Sequence, residues 1–453
     1  MALPRDERMG ACLFPLSPPS REQPDGLKYP MRPVVLLVNP NRYRNPPVIP
    51  LAMEYLAHAL KEEGFEARSV DLCFEDDPEA ALEAALVRSK PLAVCVTVRN
   101  VDSVLYPDTE FFLPDIRGHI ARVREKTEAP VIIGGAALPA DPRGILGYLG
   151  ADAAVVGPGE RTLPALLREL RDARGLRGRG MVLKGEPPGR LRPERAAIFD
   201  YPRYLGDDGV AGFQTHKGCS WGCPYCVEAR SAVSMREPGD VVHELRALAE
   251  RGFTHLHLCD PEFNEDHGYC LRLLEEMARE VPGLRWALYM KPGNFSAGMF
   301  ELLGNSGAYL VTLSVDTLQR PPRYWKDIRE MTALARENGI RLAVDFLTGF
   351  PGEGEEVLQR ALGFFAEARP DEVVVNVFLR LYRNLPITRR IQKDPGLRKY
   401  LLGPFEGPCL EPVFYNHIRP ERLRQLLGGD GMFRIAGQEK VVNYQKARSS
   451  PTS

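Results

Sequence analysis

Cys219, Cys223 and Cys226 stand in the run Gly218-Cys219-Ser220-Trp221-Gly222-Cys223-Pro224-Tyr225-Cys226, spaced C-x3-C-x2-C. Three thiolates on one tight loop can hold three irons of a 4Fe–4S cube and leave the fourth iron open. Soft thiolate sulfur is the ligand type that selects such clusters. Gly218 and Gly222 free the backbone to fold around a bulky group. An open iron is a place where a small molecule can bind and take an electron. Two other readings use the same residues: a zinc site, for which His216 is near in sequence, and buried thiols without a ligand.

The elements around this loop must position it. Ala211–His216 reads as the strand that enters it, and strand signals recur at His255–Cys259, Arg285–Met290, Tyr309–Ser314, Leu342–Leu347 and Glu372–Phe378. Helical patterns at Val241–Glu250, Tyr269–Arg279, Ala297–Leu303, Tyr324–Asn338 and Glu355–Glu367 separate them. Six strand–helix units predict a partial (β/α)6 barrel over residues 205–390, with functional groups at the C-terminal strand ends. Upstream, strand signals at Val34–Val38, Phe65–Leu72, Leu92–Val98, Val131–Gly135 and from Ala153 alternate with helical patterns. Five such strands predict an α/β domain over 31–175, a doubly wound, Rossmann-like parallel sheet that binds ligands outside its carboxyl ends. Those ends carry Asn39 and Asn41; Thr97, Arg99 and Asn100; Gly134, Gly135 and Ala136; Gly157, Gly159 and Glu160. Their glycines either admit a large ligand or only make tight turns. Residues 1–30 read as a lead-in and 176–204 as a linker with one short apolar run, Met181–Leu183. Residues 391–453 read as a small C-terminal extension, with a short helix at Pro420–Leu427 followed by a loop.

With 59 basic and 60 acidic residues the chain shows no bias toward nucleic acid or a basic membrane anchor. It has no apolar run long enough for a membrane span, and Met1–Gly10 lacks the apolar core of a secretory signal. Nine cysteines are too few and scattered for a disulfide scaffold, so a reducing cytoplasm is the expected compartment.

With Tyr225 as the aromatic residue before the last cysteine, the loop matches the C-x3-C-x-aromatic-C motif. The chain thereby resembles the radical S-adenosylmethionine (radical SAM) superfamily. The resemblance implies that the open iron chelates the amino and carboxylate groups of S-adenosylmethionine. An electron from the cluster then releases a 5′-deoxyadenosyl radical inside an enclosed barrel. Asp260-Pro261-Glu262 resembles the segment that grips the methionine amino group, and Ser314 and Asp316 look like ribose contacts. Gly349, Phe350 and Pro351, within Leu347–Glu353, resemble the stretch along the adenine. Lys291 either meets a carboxylate or is solvated.

The run Pro47–Ala57, Gly134-Gly135 and Gly157–Glu160 resemble the cobalamin (vitamin B12)-binding domain that precedes many radical SAM enzymes. The combination implies a methyltransferase that passes methyl from methylcobalamin to a carbon centre of a small metabolite or peptide. A radical cyclase, ring-contracting or oxidising enzyme shares the same architecture, and a non-catalytic metal-binding module is a third reading. The Asp-x-His-x-x-Gly motif is missing and His58 and His119 read as structural, which implies either cobalamin without a histidine lower ligand or a domain that has lost the cofactor. A flavodoxin or ferredoxin is the implied electron donor. His255, His257, Cys259, Tyr289, Tyr382, Tyr415 and Cys409 are weaker candidates for a cavity wall. Cys12, Cys73, Cys95 and Cys270 read as inert.

Overall fold

Continuous apolar runs cannot be half-exposed, so they form strands covered on both faces. In the computed structural model, which describes residues 32–173, 180–186, 194–318, 323–403 and 410–437, this holds for the central strands of both halves. The first half has β1 (Val34–Asn39), β2 (Glu66–Asp71), β3 (Ala93–Thr97), β4 (Val131–Gly134), β5 (Ala153–Val156) and β6 (Met181–Lys184). They form one sheet in the order β2-β1-β3-β4-β5-β6, every pair parallel. Helices α1 (Leu51–Glu62), α2 (Pro78–Ser89), α3 (Leu113–Lys126), α4 (Pro142–Leu149) and α5 (Thr162–Ala173) make the crossovers. Their ends follow local chemistry. The carboxylates of Asp77 and Asp141 accept the amides of Ala80 and Gly144, with proline at the first turn of each helix. Gly64, at φ +82°, follows α1.

The sheet has one strand more than the sequence predicts. Met181–Lys184, expected within a linker, pairs with β5 through Val155↔Leu183. Its apolar run is short and only partly buried because it lies at the sheet edge.

The second half begins with α6 (Tyr201–Gly206) and β7 (Ala211–Phe213), then a small antiparallel ribbon of β8 (His216–Lys217) and β9 (Ser234–Met235). It continues through β10 (His255–Leu258), β11 (Arg285–Met290), β12 (Ala308–Asp316), β13 (Arg341–Leu347) and β14 (Glu372–Asn376). Helices α7 (Pro238–Glu250), α8 (His267–Glu280), α9 (Ala297–Asn305), α10 (Tyr324–Glu337) and α11 (Glu355–Ala368) alternate with them. The C-terminal part adds β15 (Leu379–Arg380), α12 (Pro386–Lys393), α13 (Pro395–Arg398), β16 (Leu401–Leu402), β17 (Phe414–Tyr415), α14 (Pro420–Leu427) and β18 (Phe433–Ile435). The open parallel sheet runs β7-β10-β11-β12-β13-β14-β18. The expected partial barrel is therefore extended by a seventh strand from the C-terminal segment, too short and too close to the Gly428–Gly431 turn to read as one.

From Pro33 onward the described residues form one compact unit, and a single apolar core runs from Val35 and Leu37 of β1 to Val373 and Ile435 of the barrel sheet. Buried charges cross between the halves. Arg195 bonds Glu54 of α1 at 2.9 Å and Glu244 of α7 at 3.1 Å, and Arg236 bonds Glu244 at 2.8 Å. The loop after β3 supplies Asp102, whose carboxylate meets Arg380 of β15 at 2.7 Å, both side chains essentially enclosed.

Candidate functional site

The cysteine loop hangs from the β8–β9 ribbon, which clamps both of its ends through His216↔Met235 and Lys217↔Ser234. Gly218 sits at φ +87°, and a Cβ there would fall 2.1 Å from the carbonyl oxygen of Ala232, so only glycine lets the chain leave the ribbon. The amide of Cys219 donates to Ser231 Oγ at 2.9 Å, and the amide of Arg230 to the Trp221 carbonyl at 2.9 Å. Cys219 and Cys223 are buried and Cys226 is partly so. Burial pushes the Cys219 thiol up to about 12 and raises that of Cys226.

Asp260 and His216 do not join this loop. The Asp260 carboxylate accepts the Thr215 amide at 2.9 Å and the Thr215 hydroxyl, and it meets His216 Nδ1 at 3.0 Å. It holds the strand that enters the loop, and it occupies Nδ1 of His216, whose Nε2 is buried without a hydrogen-bond partner in the protein. Among the described residues no three Cys, His, Asp or Glu side chains gather around a single ion. A cube carries its irons at separate corners and needs no such convergence.

A charged wall faces Cys223. Lys291, at the end of β11, is buried, not solvated. Its ammonium donates to Cys223 Sγ at 3.0 Å and lies 5.1 Å from the centre of the Trp221 ring. Burial works against that charge, but Glu262 and the Cys223 sulfur hold its pKa above the ordinary value. Glu262, one residue beyond the partly buried Pro261, is 6% exposed, and its Oε2 has no hydrogen-bond partner in the protein. Burial pushes its carboxyl up to about 8, although Lys291 and the hydroxyl of Ser314 favour the anion.

On the other side, Tyr225 donates to Asp316 Oδ2 at 2.5 Å and lies 5.2 Å from the Phe350 ring. Asp316 Oδ1 accepts the Leu318 amide, so this carboxylate braces both loops. Glu353 Oε2 accepts the amides of Gly349 and Phe350 and the hydroxyl of Thr317, which folds the Gly349–Pro351 turn against the end of β12. Along β10 the burial alternates, with Leu256 and Leu258 in the core and His255 and His257 on the other face. His257 meets Tyr289 edge-on at 5.9 Å, and burial lowers its pKa to about 4. Cys259, just past the end of β10, is exposed, and its thiol donates to the His257 carbonyl at 3.6 Å.

At the strand ends of the first sheet the expected residues divide. Asn41, Thr97, Arg99 and Asn100 line one cavity of about 90 Å³ together with Arg42 and Glu110. Asn39 is buried and gives its amide to Asp71 at 2.8 Å and Tyr204 at 3.3 Å. Gly135 is required by packing, since a Cβ would stand 2.4 Å from the Val98 carbonyl oxygen; Gly134 and Ala136 flank it. Gly157 turns the chain at φ +93° with open space beside it, and Gly159 packs on Leu56. Glu160 reaches across to the other half, where Lys217 Nζ donates to its Oε1 at 2.5 Å. His58 lies near Glu194 and His119 is buried in α3, whereas Cys409 and Cys12 fall outside the described residues. Sequence reasoning missed Lys217, Asp102 and Arg380. Only Lys217, a cation directly before Gly218-Cys219, left a local signal.

Residues 213–365 match the model of the radical SAM superfamily, and residues 43–167 match that of the B12 binding domain. The chain is a radical SAM enzyme with a B12-binding domain ahead of its barrel. It is 28% identical to the tryptophan 2-C-methyltransferase of Streptomyces laurentii, across 80% of this chain and 74% of that protein. Among solved structures it is similar to the radical S-adenosylmethionine methyltransferase TsrM from Kitasatospora setae with tryptophan substrate and a SAM analogue bound. That match has a TM-score of 0.79 and 25% identity, covering 91% of this chain and 93% of that one. The same methyltransferase with cobalamin and a [4Fe-4S] cluster bound matches at TM-score 0.73 and 27% identity, over 82% and 77% of the two chains. The cobalamin-dependent enzyme OxsB shares the fold at TM-score 0.65 and 14% identity, over 85% and 64%.

Proposed function

We propose that this chain is a cobalamin-dependent radical SAM methyltransferase acting on a carbon centre of a small molecule, with tryptophan or another indole the first substrate to test. The observation that carries this reading is the meeting of strand-end loops from both sheets, Glu160 with Lys217 and Asp102 with Arg380. It brings a B12-type sheet and a cysteine loop to one region. The similarity to the tryptophan methyltransferases along most of both chains supports the substrate class.

The residues fit the groups this chemistry needs. Three thiols on a ribbon-clamped loop, with an ammonium against one sulfur, suit an iron–sulfur cube, whose anionic charge a nearby cation stabilises. When bound, the cluster with S-adenosylmethionine supplies one-electron cleavage chemistry, and cobalamin supplies a transferable methyl group. Cys219, Cys223 and Cys226 would hold the cluster. The free Oε2 of Glu262 is an acceptor for the amino group of S-adenosylmethionine, and the Gly349–Phe350 turn braced by Glu353 offers an apolar wall for its adenine. Asn41, Thr97, Arg99 and Asn100 would contact cobalamin at their shared cavity. A flavodoxin- or ferredoxin-type carrier in a reducing cytoplasm fits as the electron source.

The test is anaerobic turnover of reconstituted protein with trideuteromethyl-labelled S-adenosylmethionine, cobalamin and a panel of indoles, read by mass spectrometry. A labelled C-methyl product is expected. Cleavage of S-adenosylmethionine to 5′-deoxyadenosine with no labelled product would point instead to a radical enzyme that does not transfer methyl.

A further inference from the structure

Glu160 follows the end of β5, is 3% exposed, and keeps one carboxylate oxygen, Oε2, buried without a protein partner. Buried acceptors in native proteins are nearly always satisfied, so such an oxygen calls for a donor. Its other oxygen accepts from Lys217, the last residue of β8. Lys217 stands two residues before Cys219 on a segment that cannot shift freely, because its strand pairs with β9 and Gly218 is wedged against Ala232. The second tie between the halves is different: Asp102 gives one oxygen to Arg380 and the other to the Val104 amide, and is complete within the protein. Glu54 also has an unpaired oxygen, but its partners Arg195 and Tyr201 belong to neither strand-end loop.

The geometry points to Glu160 and Lys217 as positioning residues that set the spacing between the two cofactors. Oε1 of Glu160 is fixed through Lys217 to the cysteine loop, and Oε2 accepts an N–H from a primary amide on the corrin rim. This rests on the function proposed above. The consequence is mechanical: the pair carries no reacting atom, but loosening it lets the cysteine loop move against the first sheet. A misplacement of about 1 Å between reacting groups lowers turnover by roughly a hundredfold.

The experiment uses the full chain, anaerobically reconstituted, as wild type, Lys217→Met, Lys217→Arg and Glu160→Gln. Pulsed electron paramagnetic resonance on samples holding cob(II)alamin and reduced cluster reads the distance between the two centres. The wild type is expected to give one narrow distance. Lys217→Met broadens or shifts it and lowers kcat roughly a hundredfold with the substrate KM unchanged, and Lys217→Arg restores most of both. In Glu160→Gln, an amide nitrogen replaces one acceptor, and cobalamin is released about tenfold faster, as expected for an unpaired buried donor. A wild-type distance distribution in Lys217→Met overturns the proposal, and so does wild-type cobalamin retention in Glu160→Gln. Should Lys217→Met not fold, Glu160→Gln decides alone. A wild type that binds iron but no cobalamin overturns the proposed function itself, and this inference with it.

Discussion

At the ends of the first-sheet strands, Asn39 spends its amide on Asp71 and Tyr204, and Gly135 is dictated by the Val98 carbonyl. At the ends of the barrel strands, Lys291 turns onto Cys223, beside the buried Glu262 and the half-buried Ser314. Both regions follow the same rule, parallel strands with ligand-facing carboxyl ends. The first combines backbone turns with a small cavity whose wall includes Arg42, Arg99 and Glu110; the second packs buried ionisable groups against one another. The two ends therefore differ in burial: the charges that line the first cavity are exposed or half-buried, and Lys291 and Glu262 at the second are enclosed.

The comparison can be broken where the halves are tied. Arg380→Met leaves the Asp102 carboxylate enclosed without its cation, and removing one partner of a buried pair costs about 3–5 kcal/mol. Urea denaturation should show that loss, and the double variant with Asp102→Asn should recover a large part of it. If Arg380→Met unfolds at the wild-type midpoint, the tie does not hold the halves together.

It can be sharpened on the charged side by Lys291→Met. Removing a cation from beside Cys223 disfavours the reduced, more negative cluster, so the reduction potential should fall by about 60 mV, a tenfold shift for one electron. A redox titration followed by electron paramagnetic resonance reads this directly, and an unchanged potential would remove Lys291 from the cluster's surroundings. At the more exposed cavity of the first sheet a single side chain should matter less. Arg99→Ala at the strand-end cavity should weaken cobalamin binding about fivefold, the worth of one net hydrogen bond. A loss of a hundredfold or more there would make the two regions alike.

The same contrast explains what the sequence disclosed. Both sheets were legible because buried parallel strands are continuous apolar runs, and the cysteine loop because its three thiols lie close together in the chain at a set spacing. Tyr225 and the Gly349–Pro351 turn were legible through the motif, and the structure gives them the braces Asp316 and Glu353. The edge strands β6 and β18 escaped notice since three or four partly buried residues carry no periodicity of their own. Asp260 also anchors Thr215 and His216, a role set by a partner forty-five residues away and invisible in the Asp260-Pro261-Glu262 segment itself. Lys291 was ambiguous because a lone lysine at a strand end does not say what it faces. Asp102 and Arg380, 278 residues apart, left no trace at all.

The central claim is that the barrel loop and the first sheet carry separate cofactors that meet at their strand ends. Iron and cobalt analysis of wild type and Cys223→Ala, both produced with cobalamin and reconstituted anaerobically, tests it most directly. The account predicts about four irons and one cobalt per wild-type chain, and a Cys223→Ala variant that loses iron while keeping cobalt. Zinc in place of iron, or a wild type without cobalt, would contradict it.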